Sequence, residues 1–378
     1  MKQLLIRPEI WEFSDFHTFA EAFAVGADDL ILTNEYIYRP VIETECLESS
    51  VIFQEKYGQG EPTDEMAQAI LEEVQKRDCS RIIAVGGGTI IDLAKALVLK
   101  GQDTIDQMYA HMADLKKNKT LVIVPTTCGT GSEVTNIAIL NRLALGTKQG
   151  LVSEAMYADA AVLIPEFLES LPYKVFATSS IDALVHAAES YLSPKATPFT
   201  ELYSKQAVEI ILWGYGKIAA YGTDVWKEEK EAYLRASTYA GIAFSNSGCA
   251  AVHAMSYAFG GKYHVPHGES NYQFFTEVLR MYQTKKPKGK IAVFDRMVRE
   301  ILCREGFAGE ETKKDGISLL EELLQNVLVR RPMSDYGAQK EDLDVFAQST
   351  VKNQQRLLAN NYAELTQEEI REIYRRCL

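Results

Sequence analysis

Over the first half of the chain, short apolar runs ending in turn residues alternate with stretches whose apolar residues recur at helical spacing. The runs are DDLILTN (28–34), SVIFQ (50–54), RIIAVGGG (81–88), LVIVPTT (121–127) and AVLIPEF (161–167). They are too short for helices and almost continuously apolar, as strands are when both faces of a parallel sheet are covered. Between them, Thr63 to Arg77 and Ile90 to Lys100 carry apolar residues three and four apart, as covering helices do. The pattern predicts a doubly wound α/β domain. From about Pro172 the strand signal fades. Long amphipathic stretches replace it, including FATSSIDALVHAAESYLS (176–193) and the leucine-rich segment Ile317 to Val329. A helical second domain follows, so residues 1–168 are read as the α/β domain and 169–378 as the helical one, joined by a short connection near 165–172.

A length of 378 residues suits two such domains. The formal net charge of -12 repels phosphate backbones and anionic lipid, and no block of Lys and Arg offers a local exception. Neither a nucleic acid nor a membrane is expected as a partner. Charges interrupt the opening MKQLLIRPEIWEFSDF before a signal-peptide core can form, so a cytoplasmic location is expected. Six cysteines, Cys46, Cys79, Cys128, Cys249, Cys303 and Cys377, lack paired spacing and read as reduced, mostly buried thiols.

Two loops carry candidate chemistry in the first half. RIIAVGGGTIIDLAK runs a strand into Gly86, Gly87 and Gly88 and then into a helix start at Thr89, an arrangement whose backbone N–H groups can face an anion. The spacing is not G-x-G-x-x-G, so a plain tight turn stands beside the phosphate reading. The second loop, VPTTCGTGSEVTN (124–136), ends another strand in small hydroxyl-bearing residues, and two such loops at neighbouring strand ends form a nucleotide crevice.

In the second half the histidines gather. Asp182 and His186 are four apart in a helical stretch and share one face. Such a pair alone is more often a hydrogen-bonded couple or a helix cap than a ligand pair. His253, His264 and His267 follow in HAMSYAFGGKYHVPHGES, so four of the six histidines fall in two segments. Three imidazoles and a carboxylate suit Fe(II) or Zn(II), with a coordination position left open for an oxygen.

Through GGGTIIDLAK, PTTCGTGSEVTN, DALVHAAESYLS and the His253 to His267 spacing, nearly the whole chain resembles the iron-containing alcohol dehydrogenase family. The resemblance implies a dehydroquinate synthase-like fold with an N-terminal nucleotide-binding α/β domain and a C-terminal helical metal-binding domain. It implies NAD as cofactor, held by Gly86, Gly87, Gly88 and Thr89 at the pyrophosphate, by Thr126, Thr127, Thr130 and Ser132 along the loop, and by Lys148 at a ribose. Asp182, His186, His253 and His267 would be the metal ligands, and a homodimer or larger homo-oligomer is implied. Asn34 stands where NAD-preferring members carry an aspartate, which leaves NADP open, although no arginine is seen nearby to pair with its phosphate. Tyr257 stands where many members carry a proton-relaying histidine, with His264 as the alternative. Within the family, FQEKYGQGEP (53–62), GGKYHVPHGESNYQFFTEV (260–278) and NQQRLLANNY (353–362) resemble the enzymes of 4-hydroxybutyrate and succinate semialdehyde. A short ω-hydroxy acid or its semialdehyde is the substrate this implies, with Lys262, Tyr263, Asn271 and Asn361 as candidates for its carboxylate. The alternatives are another alcohol or diol dehydrogenase of the family, a dehydroquinate synthase-like lyase, or a nucleotide-binding protein clamped by its metal.

Overall fold

Neighbouring side chains on three central strands fall alternately into two cores. The computed structural model describes residues 2–100 and 103–378. Leu30, Leu32, Ile82, Ala84, Leu121 and Ile123 enter one buried cluster, and Ile31, Ile83, Val85, Val122 and Val124 enter the other. With both faces covered, every position of these runs must be apolar, which explains their lack of polar alternation.

The sheet belongs to a unit spanning Ile6–Leu171. Its strands are β1 (Glu9–Glu12), β2 (Asp29–Thr33), β3 (Ser50–Phe53), β4 (Arg81–Gly86), β5 (Thr120–Pro125) and, after a β6–β7 hairpin (Ile137–Arg142, Thr147–Val152), β8 (Ala160–Leu163). They pair in parallel in the order β1-β8-β5-β4-β2-β3. Chain order runs outward from β2 to β3 on one side and from β4 through β5 to β8 on the other. The reversal therefore lies between β2 and β4, where open α/β sheets bind ligands at the carboxyl ends of their strands. Helices α1 (Phe16–Ala22), α2 (Asp64–Gln75) and α3 (Gly88–Leu97) bury Phe19, Ile70 and Ile91 respectively. Apolar periodicity does not reveal β1, because its four residues are exposed at the sheet edge.

The second unit is Pro172–Leu378 together with residues 2–5, which the sequence pattern had placed with the α/β domain. Leu5 N–H donates to Asn246 Oδ1 at 2.8 Å and Asn246 Nδ2 returns a bond to Leu5 O at 3.0 Å, tying that stretch to the helices. Its main helices are α4 (Tyr173–Leu192), α5 (Pro198–Tyr221), α6 (Lys230–Ser247), α7 (Ala251–Tyr263) and α8 (His267–Lys285). From Ser180 to Leu192 every residue of α4 is buried, so this helix is wrapped on all sides. None of the described helices is long and apolar enough to cross a membrane.

Candidate active site

In the helical unit the polar residues of α4 lie where solvent cannot stabilise them. Asp182, His186 and Glu189 follow at intervals of four and three on one buried helix face. A carboxylate in such surroundings needs partners. For Asp182 they come from α7 and α8. His253 Nε2 lies 3.8 Å from Asp182 Oδ1, His267 Nε2 3.9 Å, and Asn271 Nδ2 donates to it at 2.7 Å. His267 opens α8 directly after Pro266. The next residue, Gly268, lets the helix end approach α4, since a Cβ there would stand 2.2 Å from the Thr178 carbonyl oxygen. Burial pushes the Asp182 carboxyl up, but the imidazoles of His186, His267 and His253 outweigh it and hold the group below its ordinary value.

The donor atoms of Asp182, His253 and His267 lie within 4.8 Å of one another, and His186 Nε2 joins them at 2.9 Å from His253 Nε2. A tetrahedral site with bonds of about 2.0–2.2 Å has donor–donor edges of roughly 3.3–3.6 Å. The observed separations of 2.9, 3.8 and 3.9 Å bracket that range. Asn271 adds a second test of fit. Its Nδ2 lies 3.1 Å from His253 Nε2 and 3.3 Å from His267 Nε2 as well as on Asp182, so two amide protons serve three acceptors, while its buried Oδ1 has no partner. A cation serves those acceptors better than an amide does. The residues fit a divalent ion.

Glu189, which the sequence reading missed, fixes the geometry of His253. Its carboxylate takes the Nδ1 proton of His253 at 2.7 Å and the backbone N–H groups of Ala250 (2.9 Å) and Val252 (2.7 Å). This holds His253 in the tautomer whose Nε2 lone pair faces the cluster. His186 is held flat by stacking on Phe244, with ring centroids 4.4 Å apart. Cys249 is buried against the same pair of imidazoles. Burial raises its thiol, but His253 and His186 bring it down to about 7.

Of the two proton-relay candidates, Tyr257 stands beside His267 with ring centroids 5.9 Å apart, and burial raises its phenol, which therefore stays protonated at neutral pH. His264 is different: it is the exposed, left-handed cap of α7 (φ 53°), and among the described residues it has no hydrogen bond or ring contact with the cluster. Three of the four carboxylate candidates are already engaged. Lys262 pairs with Asp342, Tyr263 donates to the same carboxylate at 2.5 Å, and Asn271 belongs to the metal cluster. Asn361 keeps an unpartnered Oδ1.

In the α/β unit the two loops touch. A Cβ on Gly88 would lie 3.0 Å from the Thr130 methyl and one on Gly87 3.4 Å from that of Thr127. Thr126 N–H donates to Gly86 O at 3.1 Å. Gly87 caps α3 without a side-chain bond, and among the described residues the first N–H groups of the helix have no hydrogen-bond partner. Ser132 turns inward: its hydroxyl donates to Asp92 (2.8 Å) and accepts from the fully buried Lys95 (2.6 Å), which also binds Thr135 Oγ1 and Ile137 O, each at 2.8 Å. Ser132 therefore braces the loop instead of lining it. Thr89 Oγ1 donates to Gly60 O at 3.1 Å and Lys148 pairs with Glu61 at 2.7 Å. At the end of β2, Asn34 Nδ2 donates to Glu55 Oε2 at 2.9 Å and Gln54 Oε1 at 3.1 Å. Nearby Arg39, overlooked in the sequence reading, is held by Glu35 and Glu43.

A parallel α/β sheet with paired small-residue loops at its carboxyl edge, followed by helices that bury a carboxylate among imidazoles, is the plan of a metal-dependent, nicotinamide-linked alcohol dehydrogenase. The chain belongs to the iron-containing alcohol dehydrogenase family: residues 20–165 match the model of that name and 176–378 match its C-terminal counterpart. It is 46% identical over 377 residues to the 4-hydroxybutyrate dehydrogenase of Clostridium kluyveri, covering 100% of both chains. It is 31% identical over 318 residues to the sulfoacetaldehyde reductase of Bilophila wadsworthia, covering 82% of this chain and 80% of that one. Among solved structures, the NAD+ complex of sulfoacetaldehyde reductase from Bifidobacterium kashiwanohense superposes with a TM-score of 0.84 at 22% identity, over 100% of this chain and 99% of the other.

Proposed function

We propose that the protein interconverts 4-hydroxybutyrate and succinate semialdehyde, with NAD as hydride carrier and Fe(II), or Zn(II) in its place, on Asp182, His186, His253 and His267. The observation that carries this reading is the full-length 46% identity to the Clostridium kluyveri enzyme. When bound, the ion supplies a Lewis acid for an alcohol or aldehyde oxygen, and the nicotinamide accepts or returns the hydride. Glu189 keeps His253 oriented. Tyr257, protonated and beside His267, provides the proton in the reductive direction and takes it back in the oxidative one. The open N–H groups at Gly88 and Thr89 and the loop from Thr126 to Thr130 hold the cofactor phosphates.

Preference for NAD comes from a carboxylate on a different strand. Glu55 lies just past β3, the parallel neighbour of β2, and its carboxylate sits on Asn34 and on the Glu35 N–H. It replaces the missing aspartate as ribose acceptor and as the charge that repels a 2′-phosphate. Glu55→Gln is expected to lower the ratio of kcat/KM for NAD over NADP about tenfold, the effect of losing about 1.4 kcal/mol of discrimination. An unchanged ratio in steady-state assays with both cofactors contradicts this role.

For the substrate carboxylate the proposal turns to Arg356, inside the NQQRLLANNY segment. Leu357 and Leu358 pack against Cys249, Ala254 and Tyr257, and the positive charge of Arg356 acts on the Tyr257 hydroxyl. Its exposed guanidinium has no carboxylate partner among the described residues. Arg356→Gln is expected to raise KM for 4-hydroxybutyrate about tenfold, as loss of an exposed charge-assisted hydrogen bond does, and to leave KM for 1-butanol where it was. Equal effects on both substrates contradict an anchoring role.

A further inference from the structure

Beside the four ligand residues the helical unit holds one more donor. Cys249 sits in the turn between α6 and α7, after Gly248 (φ +80°) and four residues before His253. The turn is pinned, because Asn360 Nδ2 donates to the Cys249 carbonyl at 2.9 Å. Cys249 Sγ and one ring nitrogen each of His186 and His253 lie within 4.8 Å of one another, as the donors of Asp182, His253 and His267 do. The two groups share His253. Asn271, fully buried with an unpartnered Oδ1, points its amide into the same cluster and independently marks it as a place for a cation.

We propose that the cluster offers an ion two overlapping donor sets, Asp182–His253–His267 and His186–Cys249–His253, and that the softness of the ion selects between them. This rests on the reading of the cluster as a metal site. Fe(II) and Mn(II) take the oxygen-containing set with His186 as its fourth donor, whereas Zn(II) and Cd(II), which the same four residues can also hold, are drawn towards the sulfur. Engagement of Cys249 breaks its S–H bond, sends the proton to water and turns a sulfur lone pair into the bond to the ion, with no change of oxidation state. Cys249 is thereby a specificity element for the metal, which a cysteine acting only as a small core residue is not.

The test loads full-length protein, freed of metal by a chelator, with Cd(II), Zn(II) or Mn(II). Wild-type protein with Cd(II) should show a thiolate-to-cadmium charge-transfer band in the ultraviolet, and Cys249→Ala and Cys249→Ser should both lack it. Zn(II) affinity should fall in both variants by no less than the about 10- to 100-fold that outer-shell partners cost, with Mn(II) affinity unchanged. A cadmium-loaded wild type without the band, a band that persists in both variants, or a parallel loss of Zn(II) and Mn(II) overturns the proposal. Wild-type protein that binds none of these ions overturns the metal reading itself, and this proposal with it. A wild-type protein that takes up Cd(II) without the band overturns the proposal with no variant needed, and Cys249→Ala and Cys249→Ser, two substitutions of different polarity, separate a Cys249 band from one given by the other thiols.

Discussion

Alanine at His267 is expected to lower turnover about a thousandfold or more in protein that stays folded. The side chain is the first of α8 and one-third exposed, so its removal opens no cavity in the core. What it removes is one of three donors gathered within 4.8 Å. Losing the Lewis acid forfeits several kcal/mol of transition-state stabilisation, and about 4 kcal/mol is a factor of a thousand. Iron content, measured by elemental analysis after desalting, should fall with activity, while circular dichroism and the thermal midpoint stay near those of the wild type. Zinc, which the Cys249 set also holds, should leave less completely. Full iron content and near-normal turnover in this variant contradict the assignment of His267.

Glu189→Gln should weaken the metal from a residue that never touches it. The glutamine keeps the shape, but its amide can no longer receive the Nδ1 proton of His253 and both backbone N–H groups through charged oxygens. The His253 tautomer is then no longer enforced. Outer-shell losses of this kind cost about 10- to 100-fold in metal affinity. Because His253 belongs to both donor sets, Mn(II) and Zn(II) affinities should fall together, unlike the selective zinc loss expected at Cys249. Calorimetric titration of chelator-treated protein reads both, and unchanged affinities contradict the orienting role.

The fold was legible wherever a run had to be apolar on both faces, as in β2, β4, β5 and β8, and illegible where a strand faced solvent. Glu9–Glu12 is the example: at the sheet edge its four residues are exposed, and nothing in their polarity announces a strand. In the buried cluster, local spacing was enough to put Asp182 and His186 on a common face, because both lie on one helix. Glu189 lies on the same helix face yet reads as an ordinary surface glutamate until α4 is seen to be buried all round. Contacts across parallel strands were beyond reach, since Glu55 meets Asn34 only through the β2–β3 register, 21 positions on in sequence. Lys262 and Tyr263 looked free to bind a carboxylate for the same reason. Asp342, about eighty residues on, already occupies them.

The central claim is a nicotinamide-linked oxidation of a short ω-hydroxy acid at this metal cluster. Its most direct measurement is the absorbance of NADH formed when iron-loaded protein meets 4-hydroxybutyrate and NAD, with 1-butanol, 1,4-butanediol and NADP run alongside. The account predicts NADH formation with a kcat/KM for 4-hydroxybutyrate well above that for either alcohol, abolished by a chelator and restored by Fe(II). A protein that prefers the diol or butanol by a wide margin contradicts the substrate assignment, and one that changes NADH absorbance with none of these compounds or their aldehydes contradicts the dehydrogenase account altogether.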